Sequence, residues 1–263
     1  EGRKTHVLYH DLVEQEKYEA AFPMWEKLME FSPGGHVYHF IDGVTMYNYF
    51  IEQEAEDSVK VAEYKQTIVD LYEQRLTCMS PERGDSNIVM EAFAYELVAM
   101  KYENTDKTLE IFEKAVEMNG NRTSAYILSY YADFAATMFG NDSLSKAETR
   151  DIYFELEKIK DANTENTDYA DNWEYVKTYF KPYENYLFDC AYFMEKLKPV
   201  YEENPNNPDV FRDVLKTLLL KGCDKNDEFV TELIVKDSLY IVETQDSMDI
   251  VNRELYPDDY GKR

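Results

Sequence analysis

Apolar residues recur at helical spacing along nearly the whole chain, and the breaks between them are short clusters of Pro, Gly, Asn and Asp. That pattern predicts roughly a dozen helices, most of them in pairs. The first pair carries Leu8 and Leu12, then Tyr18, Ala21, Phe22, Trp25, Leu28 and Phe31, and it stops at Ser32-Pro33-Gly34-Gly35, where the glycines permit a left-handed cap. A longer pair is predicted over 37–54 and 58–78. Ile41, Val44, Tyr47 and Ile51 form the apolar face of one member, and Val61, Tyr64, Ile68, Leu71 and Tyr72 that of the other. Further pairs are predicted at 86–102 with 105–118 and at 122–139 with 145–161. A Tyr/Phe-rich stretch over 168–203 is broken by Pro182, and a helix over 208–221 follows.

Pairs of about 35 to 45 residues, each helix followed by a short turn, have the spacing of an α-solenoid, in which one pair buries its stripe only by stacking on the next. The predicted fold is therefore all-α: a right-handed superhelix of antiparallel hairpins forming one domain over 1–263. In the second helix, Tyr18, Ala21, Trp25 and Pro33 stand at the positions of a tetratricopeptide repeat, where a small residue lets two helices approach and an aromatic fills the groove. Thr108, Phe112 and Ala115 echo the pattern, and Pro208, Phe211, Val214, Leu218 and Gly222 have the look of a first helix.

These residues, together with Tyr38, Asp42-Gly43, Leu71-Tyr72-Glu73-Gln74-Arg75, Cys190, Glu202-Glu203-Asn204-Pro205 and Lys221-Gly222-Cys223, resemble a group of exported bacterial tetratricopeptide-repeat proteins. The resemblance runs over most of the chain. It implies a helical superhelix in the periplasm or at the outer membrane, with no catalytic residues to carry over. Glu73 departs from it, standing where that group's motif carries Asp.

Composition narrows the function. Aromatics make up 15% of the chain, with 23 Tyr and 14 Phe, which excludes wholesale disorder, and 9 Gly with 8 Pro are too few to turn an all-β sandwich. With 28 Lys and Arg against 53 Asp and Glu, the net charge is −25, which repels nucleic acid and an anionic membrane face. No apolar run approaches the ~18 residues of a transmembrane span.

Candidate chemistry is sparse. His6, His10 and Glu14 share a helix face at metal-ligand spacing, but the glutamate-centred motif of a metalloprotease is missing, and His36 and His39 read as cap and surface residues. The run 161–172 places oxygens at alternate positions like a calcium loop, yet has Asn166 at the sixth position, where the turn wants Gly, and Asn172 at the twelfth, where a Glu closes the site. No G-x-S-x-G, P-loop, G-x-G-x-x-G or C-x-x-C occurs. The expectation is a protein with no catalytic residues, no cofactor and no bound metal, so that a chelator changes nothing. Tyrosines at helical spacing, among them Tyr126, Tyr130, Tyr131, Tyr175, Tyr179, Tyr183 and Tyr186, read mostly as core, with Tyr126, Tyr130 and Tyr179 as candidate anchors on an inner groove. The expected function is non-enzymatic binding or scaffolding in the cell envelope, through a protein or peptide with a basic face. The alternatives are a carbohydrate-capturing lipoprotein and an enzyme with an unrecognised carboxylate site.

Three cysteines complete the reading. Cys190 and Cys223 lie equidistant from the turn Asn204-Pro205-Asn206-Asn207-Pro208, so an antiparallel hairpin about that turn brings them together. A Cys190–Cys223 disulfide is predicted, with Cys78 free on a buried face. Pro199 is expected to kink or split the helix it enters.

Overall fold

A computed structural model of the chain describes residues 2–255, and among them every regular element is helical. The chain divides into two compact units, Glu1–Tyr179 and Phe180–Arg263. In the first unit α1 (Gly2–Glu14) pairs with α2 (Tyr18–Phe31), α3 (Tyr38–Gln53) with α4 (Ser58–Cys78), α6 (Ser86–Ala99) with α7 (Thr105–Asn119), and α8 (Ala125–Gly140) with α9 (Lys146–Asp161). The short α5 (Ser80–Arg83) joins the second pair to the third, and α10 (Thr167–Phe180) follows the fourth. The second unit contains α11 (Glu184–Leu187), α12 (Cys190–Glu203), α13 (Pro208–Leu220) and α14 (Glu228–Leu255), with α13 packed against both α12 and α14.

Helix starts are chosen by short polar side chains. Asp57 accepts from the Lys60 amide, Asn104 from Lys107 and Asp189 from Tyr192, while Ser145 and Glu148 form a reciprocal capping box. The acidic break after α3 is therefore also the start signal of α4.

Aromatic contacts from one pair to the next recur. Tyr72 of α4 lies face to face with Phe93 of α6 at 4.8 Å between centroids, and Phe112 of α7 with Tyr131 of α8 at 4.6 Å. Trp25 of α2 meets α3 instead through Gly43: a Cβ there would stand 2.6 Å from Trp25 Cζ2 and 3.0 Å from Leu71 Cδ1. Trp25 is buried, and its indole N–H donates to the His39 carbonyl at 2.6 Å. Ala21 is fully buried beside it, Tyr18 packs on Tyr49, and Pro33 opens a 3-10 turn.

Several sequence expectations are corrected. Leu8, Phe31 and Ile41 are exposed, because the buried faces of α1, α2 and α3 run through Tyr9 and Val13, through Ala21, Trp25 and Leu28, and through Phe40, Gly43 and Met46. Gly34 and Gly35 sit in the 3-10 turn rather than in a left-handed cap, which Gly222 adopts after α13 at φ 72°. His39 is buried, not a surface residue, because the first turn of α3 packs inward under Trp25. Cys78 is exposed, because it ends α4 beyond the buried stripe of Ile68, Leu71 and Tyr72, and Met79 takes the inward position.

The Cys190–Cys223 disulfide joins the start of α12 to the residues after α13, with Cα atoms 5.2 Å apart. Pro199 does not split α12. It and Glu195, whose carbonyl loses its partner, both face solvent, so water can satisfy the orphan group. Around the hairpin Tyr201, Phe211, Val214, Leu218, Val230 and Leu233 form a separate core.

Candidate binding surface

The sequence candidates lie on α8 and α10 of the first unit. Tyr126 and Tyr130 lie one turn apart on α8, and Tyr95 of α6 stands against both, its ring 4.7 Å from Tyr130 and 6.1 Å from Tyr126, each edge to face. Tyr179 of α10 is close enough to Tyr130 to raise the pKa of its hydroxyl, though less than burial and Tyr95 do. The structure thus brings Tyr126, Tyr130 and Tyr179 onto one surface and adds Tyr95. Burial pushes the Tyr126 phenol up to about 12 and raises those of Tyr130 and Tyr179, so these three rings present neutral hydroxyls at physiological pH. Tyr131, one residue beyond Tyr130, points the other way into the core.

Side-chain hydrogen bonds tie the same helices together. Asn48 of α3 donates to Glu96 of α6 at 2.7 Å, and Ser129 of α8 to Asn172 of α10 at 2.9 Å. The amide and hydroxyl of Ser124 both donate to Glu91, and the Tyr169 hydroxyl donates to the Thr123 carbonyl at 2.7 Å. The strip is acidic: Glu91 and Glu96 are buried beneath it, and burial raises the pKa of both Glu96 and half-buried Asp133. Glu96, Tyr95, Asn48, Glu52 and Lys65 line a cavity of about 490 Å³, open to solvent.

Sequence reasoning missed Tyr95, Asn48 and Glu96. Tyr95 was visible as an aromatic on the polar side of α6, but the Asn48–Glu96 bond joins residues 48 apart and leaves no periodic trace.

The remaining candidates resolve differently. In the 161–172 run, the Asn163 amide donates to the Asn121 and Ile159 carbonyls, and the Asn166 side chain accepts from the Asp168 amide, so these oxygens and amides brace a turn between helices. Among the described residues no group of three or more His, Cys, Asp or Glu side chains, as placed, is arranged to hold a metal ion, and no helix is long and apolar enough to cross a membrane. No protein-family model matches the chain, and no curated protein matches it.

Proposed function

We propose that the protein is a non-enzymatic binding or scaffolding protein built as a tetratricopeptide-like stack of hairpins, and that it holds an extended, basic peptide segment of a partner along the strip of Tyr95, Tyr126, Tyr130 and Tyr179. The observation that carries this reading is the alignment of four partly exposed tyrosines on three helices over buried carboxylates. Tyr offers large contact area at low entropic cost, and carboxylates beneath the rings favour a cationic ligand. The cavity beside Glu96 is open to solvent, which suits a groove-bound chain better than a sequestered reaction. We place the protein in the cell envelope: the disulfide fits an oxidising compartment, and the −25 charge would steer a basic partner.

The test is an array of extended peptides rich in Lys, Arg and aromatics, with glycans included as competitors. Saturable peptide binding at low salt, weakened about tenfold or more by Tyr126→Ala with Tyr130→Ala, supports the reading. Absence of any saturable peptide, or affinity indifferent to both substitutions, rejects it. Glycan binding that depends on the same tyrosines would move the assignment to carbohydrate capture.

A further inference from the structure

All four histidines of the chain fall within its first 39 residues, and the packing of α1 against the turn after α2 and the start of α3 gathers their rings. His6 is the hub. Its ring centroid lies 4.4 Å from His36, 5.1 Å from His39 and 5.6 Å from His10, and His36 and His39 are 6.2 Å apart. With metal–nitrogen bonds of about 2.0–2.1 Å in tetrahedral geometry, imidazoles sharing a zinc ion have centroids roughly 5 Å apart. The three separations among His6, His36 and His39, 4.4, 5.1 and 6.2 Å, fall within about 1 Å of that spacing.

The hydrogen bonds fix which nitrogen is available. His39 Nδ1 lies 3.1 Å from the carbonyl oxygens of Ser32 and Pro33; both can only accept, so Nδ1 carries the proton and Nε2 the lone pair. That Nε2 is buried without a hydrogen-bond partner, on a side chain only 2% exposed. A buried lone pair with no hydrogen-bond donor or cation to meet it is costly. His6 Nδ1 lies 3.2 Å from the Tyr9 hydroxyl, whose own proton is engaged by Asp42, so His6 also donates through Nδ1 and keeps its lone pair on Nε2. Metal-binding histidines are held in this way, the distal N–H given to a carbonyl or to a chain ending in a carboxylate. His10 donates to the same Asp42 at 2.8 Å and completes the supporting layer.

We propose that His6, His36 and His39 form a binding site for one divalent first-row transition-metal ion, anchored by Nε2 of buried His39. The donor atoms do not converge as placed, so binding requires exposed His36 and partly exposed His6 to turn about their side-chain bonds. His36 gives up a long 3.3 Å bond from the Tyr38 amide to do so. Imidazole donors select zinc, copper or nickel over magnesium and calcium, which prefer oxygen. The expectation of no metal considered His6 and His10 on their shared helix face, and the ligands come instead from α1, the turn after α2 and the start of α3.

The test uses the full chain without a histidine tag, carrying Cys78→Ser so that the exposed thiol cannot bind metal. Calorimetric titration with zinc at pH 7.5 is expected to show saturation at one ion per chain, a melting temperature that rises with zinc, and no displacement by excess magnesium. Exposed His36→Ala, and separately His39→Gln, should each weaken zinc about tenfold or more while circular dichroism shows helix content retained. The proposal is overturned by an unsaturable titration, by displacement with magnesium, or by zinc affinity that is unchanged in folded His36→Ala protein. If His39→Gln does not fold, His6→Ala supplies the second measurement under the same criterion.

Discussion

Trp25 and Gly43 make one contact between them: the indole occupies the space where any other residue at 43 would put a side chain. Trp25→Ala empties that space, and unfolding by denaturant is expected to show a loss of about 3–5 kcal/mol. Gly43→Ala overfills it and should cost about 1–3 kcal/mol, since the rings and Leu71 cannot both retreat; a neutral result for both would remove the tight α2–α3 approach. Trp25 was legible because an aromatic four residues after a small one is a packing pattern, whereas Gly43 was visible only through a family resemblance. Glu96 was not legible at all, its burial depending on where α3 delivers Asn48. Burial raises its pKa, so over the window from the unfolded value near 4.5 up to the folded one the native state holds more protons, and stability falls as pH rises. Glu96→Gln can still accept from Asn48 without a buried charge. It should raise the denaturation midpoint at pH 7, with the advantage vanishing below about pH 4.5.

At the level of elements, the sequence reads best where one cap and one apolar stripe decide. The start of α4 at Ser58, after Asp57, and the turn between α12 and α13 were both visible in this way. Rotation of a helix about its axis was not: Ile41 and Phe40 are equally apolar, and only the approach of Trp25 at Gly43 decides which faces in. The α12–α13 hairpin shows local geometry carrying a long-range bond, because equal distance from a turn is enough to pair Cys190 with Cys223 once the helices are antiparallel. Replacing both cysteines with alanine is expected to lower stability by about 3–4 kcal/mol, mainly through a less constrained unfolded chain. Thiol titration of the unreduced, denatured protein should find one reactive thiol, that of Cys78. Three would refute the pairing.

For the whole molecule, the net charge of −25 sets a condition that no single contact reveals. Like charges brought together by folding repel, and the repulsion reaches about 30 Å at 0.01 M salt but only about 8 Å at 0.15 M. Screening also weakens attractive pairs, but several of those among the described residues, such as Lys60–Glu54, Lys177–Glu174 and Lys158–Glu155, have both partners well exposed. Such pairs contribute about 0–1 kcal/mol each and lose little. The more sheltered Arg75–Asp85 contact at 3.2 Å is screened less than they are. Relief of repulsion should therefore win, and the melting temperature should climb as sodium chloride rises from about 0.01 M to 0.15 M and then level off. The shape of the curve separates this cause from salting-out, which strengthens apolar burial steadily and would continue upward at high salt. A melting temperature that falls over the low-salt range would mean that paired charges, and not the acidic excess, dominate the surface energetics.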